Sequence, residues 1–376
     1  MAGKGPVRVL MIDSEETWRG GEGQVSLLMR GLGEKGIAVS LAAPPRSEIG
    51  RRAVELGVPF FPLPIANGMD MRAVWALRSY LRRGEFDLVH CHSSHAHGVA
   101  WMALGIARSA SRDGRQARPK LVVSRRVDFP VGRSGFGALK YRRGVDVFLA
   151  ISKGVREILV ECGVNEERIE LVSSGIDLEK FDEVGDTAYL DSEFGLDEGT
   201  TVVGNVAALA PHKSQSDFVR AAKIVRDEIP GVRFFIVGEG ELRPALEALI
   251  ARLNLEAEVT LTGFRPDVLA ILSRFDCFVL SSYLEGLCTS IMDAQALGVP
   301  VVATRTGGVP ELVDDEETGL LVPPREPALL ADAVVRMLRD GELRSKCVRR
   351  AREQSRGYDY KRMVEQTLDA YKRLLG

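Results

Sequence analysis

The segment from Ser281 to Thr304 places acidic side chains where they could bind a ligand. An apolar run leads into Glu285 and Gly286, a stretch of helical period follows, and a second apolar run ends the segment. This pattern predicts strand, helix and strand, and open parallel sheets bind ligands beyond the carboxyl ends of their strands. Free N–H groups at the start of such a helix attract anions such as a diphosphate. We assign these donors to Leu287, Cys288 and Thr289.

Asp293 and Lys213 could complete this site. Asp293 should lie about two turns into the helix, where its carboxylate would accept hydrogen bonds from ribose hydroxyls. Lys213 follows the first apolar strand of the second half. An ammonium group there would neutralise phosphate charge on a leaving nucleotide. Each of these residues alone is an ordinary solvated side chain, so the interpretation depends on their occurring together.

Two glycine pairs follow other predicted strands. Gly20 and Gly21 open a helix after the first strand, and that helix start could face a phosphate. The spacing is not that of the dinucleotide fingerprint. Gly307 and Gly308 follow a strand in the second half, where the absence of side chains permits close backbone approach.

Four of the five histidines lie between His90 and His97, directly after an apolar strand. Such clustering suggests zinc, and the spacing resembles the H-x-H-x-D-H pattern of zinc hydrolases. Ser94 stands where that pattern needs an aspartate. We therefore expect one histidine to face a ligand and the others to pack or cap, with a zinc hydrolase as the alternative.

The stretch from Arg108 to Arg143 has eleven Lys or Arg residues against two Asp. It is either a solvated basic face or a landing surface for an anionic acceptor or anionic lipid. Arg125 and Arg126, directly after a predicted strand, are the candidate acceptor residues. Nucleic acid is disfavoured because no recognition motif accompanies the charge.

Alternation of short apolar runs with helical segments predicts an α/β protein with parallel sheets. At 376 residues the chain should form two domains, residues 1–180 and 181–376, with a linker-like stretch at 182–200. A helix at about 360–375 should close the second domain. The expected strands are Val7–Ile12, Ala38–Ala42, Asp87–Cys91, Leu121–Ser124, Val147–Ile151 and Ile169–Val172, then Val202–Val206, Arg233–Gly238, Val259–Thr262, Cys277–Leu280, Val301–Thr304 and Gly319–Val322.

Composition favours a soluble protein of a reducing compartment. Apolar residues make up 45% of the chain, and its formal charge is −2. No stretch approaches the roughly 18 uninterrupted apolar residues of a spanning helix, and the N-terminus lacks the pattern of a signal peptide. The five cysteines show no C-x-x-C spacing. We therefore expect a cytoplasmic location, with any membrane touched only at its surface.

Taken together, these motifs resemble the retaining glycosyltransferases of family 4, over nearly the whole chain. That family has the GT-B fold, in which two Rossmann-like domains face each other at a central cleft. The shared positions are the Gly20-Gly21 turn, His92, Ile151–Lys153, Ser174–Asp177, Lys213, Val237–Gly240, Thr262–Asp267, Glu285 to Asp293 and Gly307-Gly308.

The resemblance implies roles for single residues. Glu285 corresponds to the acid that contacts the donor sugar, and Asp293 stands where the family has a ribose-binding glutamate. The family pairs the lysine at 213 with an arginine where this chain has Ala208, so diphosphate binding should depend more on Lys213. His92 corresponds to a histidine beside the donor sugar. The remaining donor-binding positions are Gly238 and the base-reading loop that includes Arg265 and Pro266.

The sequence thus predicts a metal-independent retaining enzyme that moves a sugar from a nucleoside diphosphate sugar to an acceptor hydroxyl. The first half should bind an anionic glycolipid or saccharide acceptor, and the second half the donor. No cofactor is expected. Similarity near Arg125 to envelope transferases favours cell-envelope or lipopolysaccharide synthesis, at the inner face of the cytoplasmic membrane. A zinc hydrolase, or a nucleotide-sugar-binding protein without catalysis, is the alternative.

Overall fold

In the computed structural model, which describes residues 6–110, 118–129 and 135–376, the chain forms two compact units. The first unit contains residues up to Gly175 together with Tyr360–Gly376, and the second contains Ile176–Asp359. Each unit is a parallel β-sheet with helices, so the predicted α/β class is confirmed.

The first unit is built on a seven-stranded sheet in the order β3-β2-β1-β4-β5-β6-β7, with every neighbouring pair parallel. Its strands are β1 Arg8–Ile12, β2 Ala38–Ala43, β3 Phe60–Pro62, β4 Leu88–Cys91, β5 Lys120–Arg125, β6 Val147–Ala150 and β7 Ile169–Leu171. Most of these strands consist mainly of apolar residues because helices cover both faces of a parallel sheet. The helices are α1 Gly20–Glu34, α2 Glu48–Glu55, α3 Met71–Arg83, α4 Ser94–Ala110, α5 Gly135–Arg142, α6 Lys153–Glu161 and α15 Tyr360–Leu375.

The second unit has a six-stranded parallel sheet in the order β10-β9-β8-β11-β12-β13. Its strands are β8 Val202–Val206, β9 Arg233–Val237, β10 Val259–Gly263, β11 Cys277–Leu280, β12 Val301–Thr304 and β13 Leu320–Val322. The helices are α7 Glu179–Asp182, α8 Ala188–Phe194, α9 Gln215–Glu228, α10 Arg243–Arg252, α11 Val268–Ser273, α12 Thr289–Leu297, α13 Pro327–Arg339 and α14 Gly341–Ser355. Short 3₁₀ helices occur at Glu166–Arg168, Pro211–Lys213, Val309–Glu311 and Arg356–Tyr358.

Both sheets reverse their strand order at one place. In the first unit the chain runs outward from β1 to β3 and then returns to place β4 on the other side of β1. In the second unit β11 is placed beside β8 in the same way. Loops leaving the carboxyl ends of two such strands diverge and leave a crevice, which is where open α/β sheets bind ligands. The fold therefore offers one candidate crevice in each unit.

The final helix belongs to the first unit, which corrects the assignment of residues 181–376 to one domain. Helix α15 packs on α1, where an added Cβ at Gly31 would lie only 2.5 Å from a methyl carbon of Val364. Tyr360, Met363 and Tyr371 are buried in the same apolar core as β1 and α1. Helical spacing of apolar residues predicts that a helix packs, but it does not identify the surface that receives it.

The boundary between the units lies after Gly175, and the stretch at 182–200 is not a linker. That stretch contains α8, whose Leu190 is buried and whose Phe194 packs edge-on against Phe235 at 4.7 Å. The expected strands are all present, with ends that differ by no more than a residue. The sequence missed β3, a short strand at the sheet edge that ends in Pro62.

Candidate functional site

Lys213 and Glu285 form an ion pair at the carboxyl edge of the second sheet. Lys213 ends the 3₁₀ helix that follows β8, and Glu285 lies in the loop that follows β11, so the two residues flank the crevice of that unit. The Lys213 Nζ to Glu285 Oε2 distance is 2.5 Å, and both side chains are largely buried. The structure thus brings together a cation and an acid that the sequence singled out separately.

Hydrogen bonds hold the two loops in register. The Ser281 hydroxyl donates to the Lys213 carbonyl at 3.0 Å, and the Tyr283 N–H donates to the His212 carbonyl at 2.9 Å. The Ser282 hydroxyl donates to Glu285 Oε2 at 3.2 Å. Because each loop is fixed to the other by backbone atoms, the pair is positioned before any ligand arrives.

The second glycine pair also reaches this site. The Gly308 N–H donates to the Glu285 carbonyl at 3.0 Å, and Gly307 adopts a φ of +48°. A side chain at Gly307 would be strained in this left-handed conformation. The turn after β12 therefore fixes the backbone of Glu285 from the side opposite Lys213's strand.

Helix α12 begins later than the sequence indicated. It starts at Thr289 with Cys288 as the N-cap, and no side chain caps it. Gly286, Leu287 and Cys288 belong to the preceding loop, so the unpaired N–H groups of the first turn begin at Thr289 rather than at Leu287. Asp293 is correspondingly the fifth helical residue, just over one turn from the helix start.

The Asp293 carboxyl has a raised pKa because it is partly desolvated. Burial raises the pKa of its carboxyl from 3.8 to about 7, and the charge of Lys180 opposes that rise. The residue is half-buried, while its helical neighbours Met292 and Ala294 are fully buried. Near pH 7 the group is therefore divided between a proton donor and a hydrogen-bond acceptor.

Gly238 supports the loop after β8 by its lack of a side chain. Its φ is +142°, and an added Cβ would lie 2.1 Å from the Ala207 carbonyl oxygen. The Gln215 amide donates to the Ala208 carbonyl at 2.9 Å. Ala208 thus contributes backbone to this tight corner and has no cationic side chain to offer.

The Arg265 side chain is engaged within the protein. Its Nε and Nη2 donate to the two carboxylate oxygens of Asp267, both at 2.8 Å, and Nη2 also donates to Glu193 at 3.0 Å. These bonds keep the pKa of Asp267 well below its usual range. Pro266 and Phe264 are exposed in the same loop. A ligand at this loop would therefore meet backbone groups and Phe264 rather than the guanidinium.

His92 stands at the crevice of the first unit with unused hydrogen-bonding groups. It follows β4, and its N–H donates to the Ile12 carbonyl of the neighbouring β1 at 3.0 Å. The side chain is 6% exposed, and within the described ranges neither ring nitrogen has a hydrogen-bond partner. Burial holds the pKa of His92 well below its usual value, so the ring is neutral. A buried imidazole with both nitrogens unpaired is positioned for a ligand.

The other histidines of the cluster have separate structural partners. The His90 ring nitrogens lie 2.6 Å from the Tyr371 hydroxyl and 2.8 Å from the Ser124 hydroxyl, and His97 Nε2 lies 3.1 Å from the Lys140 carbonyl. Among residues 6–110, 118–129 and 135–376, no three His, Cys, Asp or Glu side chains are gathered as metal ligands. The zinc-hydrolase alternative lacks the ligand geometry that it requires there.

Asp13 is a site candidate that the sequence analysis missed. Arg126 is a site candidate that the sequence analysis named only together with Arg125. Asp13 directly follows β1 and is 1% exposed, and burial raises its pKa to about 7. Burial also lowers the pKa of the half-buried Arg126, which follows β5, to about 10, against the opposing charges of Asp13 and Glu22. An acid placed immediately after the first strand was the signal available for Asp13.

Arg125 is a structural residue rather than part of a landing surface. It is buried, its Nη1 donates to the Tyr141 hydroxyl at 2.8 Å, and its Nη2 donates to the Phe129 carbonyl. Arg126, the first residue after β5, is only half-buried. The expected acceptor pair is therefore reduced to Arg126.

The first glycine turn opens α1, and its role as a phosphate site stays a prediction. Gly20 and Gly21 are the first residues of α1, and an added Cβ at Gly21 would meet nothing within 4 Å. However, the Glu22 carboxylate accepts a hydrogen bond from the Arg19 N–H at 2.8 Å. A carboxylate already at this helix start competes with a phosphate for the same positive end.

Comparison with known proteins follows the same division of the chain. A family model described as Glycosyltransferase Family 4 matches residues 18–180, and one described as Glycosyl transferases group 1 matches residues 188–354. Together they include His92, Lys213 and Glu285.

Among whole-protein relatives, the D-inositol 3-phosphate glycosyltransferase of Mycobacteroides abscessus is 31% identical over 306 residues, which are 78% of this chain and 67% of the relative. The UDP-Gal:alpha-D-GlcNAc-diphosphoundecaprenol alpha-1,3-galactosyltransferase of Escherichia coli is 28% identical over 316 residues, 80% of this chain and 79% of the relative. The crystal structure of HepE from Anabaena in complex with UDP matches with a TM-score of 0.83 at 19% identity, over 98% of this chain and 100% of that one.

Proposed function

Because this chain belongs to the family 4 glycosyltransferases and has their GT-B fold, we propose that it transfers a sugar, with retention of anomeric configuration, from a nucleoside diphosphate sugar to an acceptor hydroxyl. Neither a metal ion nor a cofactor takes part in this proposal. The observation that carries it is the Lys213–Glu285 ion pair beside the uncapped start of α12.

The pair suits a leaving diphosphate. Lys213 supplies a positive charge in a largely buried setting, where its attraction for phosphate is screened little by water. The first-turn N–H groups of α12, from Thr289 onward, supply further donors without reorganisation. Glu285 is left to accept hydrogen bonds from hydroxyls of the donor sugar, and Asp293 from those of the ribose.

We propose front-face displacement as the chemical step. The bond between the anomeric carbon and the phosphate oxygen breaks, the acceptor oxygen bonds to the same face of that carbon, and the acceptor proton passes to the leaving diphosphate. Lys213 and the α12 start stabilise the negative charge that develops on the leaving group. His92, with both ring nitrogens unpaired, is proposed to hydrogen-bond the transferred sugar.

Uridine diphosphate is the proposed leaving group. The Escherichia coli relative is named for UDP-galactose, and HepE was crystallised with UDP and with UDP-glucose. The loop at Gly263–Pro266 would read the base through backbone groups, because the Arg265 side chain is already paired with Asp267 and Glu193.

The first unit is proposed to bind an anionic glycolipid or saccharide acceptor. Arg126 supplies a cation beside Asp13 at the crevice of that unit, and Asp13 could hold an acceptor hydroxyl. The Escherichia coli relative is named for a diphosphoundecaprenol acceptor. We therefore place the reaction in cell-envelope synthesis, at the cytoplasmic face of the membrane.

The test is turnover by Lys213→Ala with a saturating UDP-sugar and diphosphoundecaprenol-linked acceptor, followed by UDP release and by NMR of the product linkage. Loss of the ammonium should lower kcat by about 100-fold to 1,000-fold, as for other groups that stabilise a transition state. Lys223→Ala, an exposed lysine on α9, is the matched control and should retain full turnover.

Four results would contradict the proposal or parts of it. Unchanged kcat in Lys213→Ala would exclude the assigned role of the lysine, and an inverted product would exclude retention. Loss of turnover after chelator treatment, restored by a divalent cation, would exclude metal independence. UDP-sugar binding without UDP release, over the range of acceptors tried, would instead support the non-catalytic binding protein.

A further inference from the structure

Helix α3 has an exposed face that combines apolar and cationic side chains. Met69, Met71 and Trp75 are 59%, 47% and 55% exposed around the start of the helix. Arg72, Arg82 and Arg83 are exposed on the same face, at helical spacing from Trp75. We call these six residues the α3 face.

The cations of the α3 face are not neutralised by the protein. Helix α3 contains four arginines and no acid. In the part of the chain that the structure describes, the Arg82 and Arg83 side chains have no ion-pair partner, and Arg72 lies near the Asp70 carboxylate. The Asp70 carboxylate is occupied as the N-cap, accepting hydrogen bonds from the Arg72, Ala73 and Ala66 N–H groups.

Arg78 adds an independent sign of a missing anion. It is only 6% exposed, yet its Nε and Nη1 have no hydrogen-bond partner within the described ranges. Its guanidinium carbon lies 5.5 Å from the centroid of the Trp75 ring. A buried guanidinium normally has its donors paired, so an unpaired one behind an exposed tryptophan points to an anionic group supplied from outside.

The neighbouring helix α2 shows the contrasting arrangement. Its Arg51 and Arg52 are exposed beside Val54, which is 63% exposed. Here both arginines form ion pairs with Glu48 or Glu55 on the same helix. Exposed apolar and basic residues thus occur on both helices, but only α3 retains an uncompensated charge.

We propose that the α3 face docks on an anionic lipid bilayer. Arginine side chains bind lipid phosphates, while tryptophan and methionine enter the region between headgroups and acyl chains, which suits an aromatic ring with one wet edge. No helix among the described residues is long and apolar enough to span a bilayer. The proposed contact is of the surface-lying kind, because exposed side chains of one helix supply it. This inference does not depend on the sugar-transfer step.

The experiment is co-sedimentation of the full chain with vesicles of phosphatidylglycerol and phosphatidylcholine, against vesicles of phosphatidylcholine alone. Binding should require phosphatidylglycerol and weaken as salt is raised. Each arginine near an anionic surface contributes about a five-fold gain in partitioning, so Arg72→Gln/Arg82→Gln/Arg83→Gln should bind on the order of 100-fold more weakly. The matched control, Arg51→Gln/Arg52→Gln, should bind like the unaltered chain.

Tryptophan fluorescence locates the contact on the helix. Binding should shift the emission to the blue, and Trp75→Phe should abolish that shift whereas Trp18→Phe retains it. Failure of the full chain to bind phosphatidylglycerol vesicles would overturn the proposal, as would undiminished binding by the triple arginine variant. A concentration-dependent dimer that Trp75→Ser dissociates, without vesicle binding, would assign the face to a second copy and also overturn it. UDP binding should be measured in each variant as well. Loss of vesicle binding with UDP binding unchanged concerns the α3 face alone and leaves the proposed function untouched.

Discussion

Asp293 combines two demands that oppose each other. Its proposed role is to accept hydrogen bonds from ribose hydroxyls, yet burial raises its pKa to about 7 and makes the ionised form costly. Because the folded-state pKa lies above the unfolded value near 3.8, the folded protein binds the proton more tightly. The contribution of Asp293 to stability is therefore greatest below about pH 4 and is lost as the pH rises through 7.

Asp293→Asn should reveal this cost. The variant should unfold at a higher temperature than the unaltered chain at pH 8, with a difference that shrinks toward pH 4, because the amide never ionises. Thermal unfolding followed by circular dichroism across that pH range measures it. Asp332→Asn, an exposed acid on α13, should show no such pH-dependent gain. Equal stability of Asp293→Asn and the unaltered chain at pH 8 would contradict the assigned burial.

Arg125 makes a second prediction at the scale of single residues. Its buried guanidinium donates to the Tyr141 hydroxyl and the Phe129 carbonyl, so Arg125→Glu would remove both hydrogen bonds and place a carboxylate against the Phe129 carbonyl oxygen. A buried charge left without a compensating partner typically costs about 3–5 kcal/mol of unfolding free energy. Urea denaturation should show that loss for Arg125→Glu and almost none for Arg143→Glu, an exposed arginine nearby. An unchanged free energy of unfolding in Arg125→Glu would show that Arg125 belongs to the solvated basic surface instead.

At the scale of elements, α15 links the end of the chain to the crevice of the first unit. The Tyr371 hydroxyl lies 2.6 Å from His90 Nδ1, and the His90 ring packs at 4.1 Å from the ring of His92. Ser124 on β5 holds the other nitrogen of His90. The last helix therefore helps to fix the orientation of His92 through an intermediate histidine.

Tyr371→Phe should destabilise the first unit. The change removes one hydroxyl and leaves a buried imidazole nitrogen unpaired, which typically costs about 1–3 kcal/mol. Urea denaturation followed by far-ultraviolet circular dichroism measures the loss. Tyr189→Phe is the matched control, because its hydroxyl is bonded to Asp267 at the surface, where water can replace it. Equal losses of unfolding free energy in the two variants would show that the buried hydrogen bond stabilises the protein no more than the exposed one.

The elements differ in how far the sequence predicted them. Strand β6 is four buried apolar residues, Val147–Ala150, and such runs can be recognised directly. Strand β3 has neither the length nor the pattern to be recognised. The sequence predicts a start of α12 near Leu287, whereas the helix starts at Thr289 because the preceding loop is bonded to Lys213 and Gly308. The buried role of Arg125 depends on Tyr141, a partner that no local pattern identifies.

At the scale of the whole molecule, both units use the same topological device. The site residues predicted from sequence gather at the strand reversals, His92 beside β1 in the first unit and Lys213 with Glu285 between β8 and β11 in the second. This much follows from strand order, because loops diverge only where the order reverses. The chain's return to the first unit through α15 could not be predicted, since helical spacing does not specify a docking partner.

Because α15 belongs to the first unit, the two units differ in whether one continuous segment of the chain can form them. The second unit is one continuous segment, Ile176–Asp359, with its own buried core. The first unit needs two segments, and without α15 the core that contains Leu28 and Leu32 would lose Tyr360, Met363 and Tyr371 from its packing. Each large apolar side chain that loses its burial costs about 1.5–3 kcal/mol of unfolding free energy. A domain of ordinary stability does not survive such a loss.

We therefore expect residues 176–359 expressed alone to fold, to unfold cooperatively on heating, and to bind UDP. Residues 1–175 alone should not fold. The same segment joined through a short flexible linker to residues 360–376 should fold. Ile176 and Asp359 pair in a β-bridge, so Gly175 and Tyr360, which adjoin them in the chain, lie close enough for such a linker to join. Circular dichroism and calorimetry on the three polypeptides distinguish these outcomes. Cooperative unfolding of residues 1–175 without the final helix would show that α15 is an accessory to that core rather than a part of it.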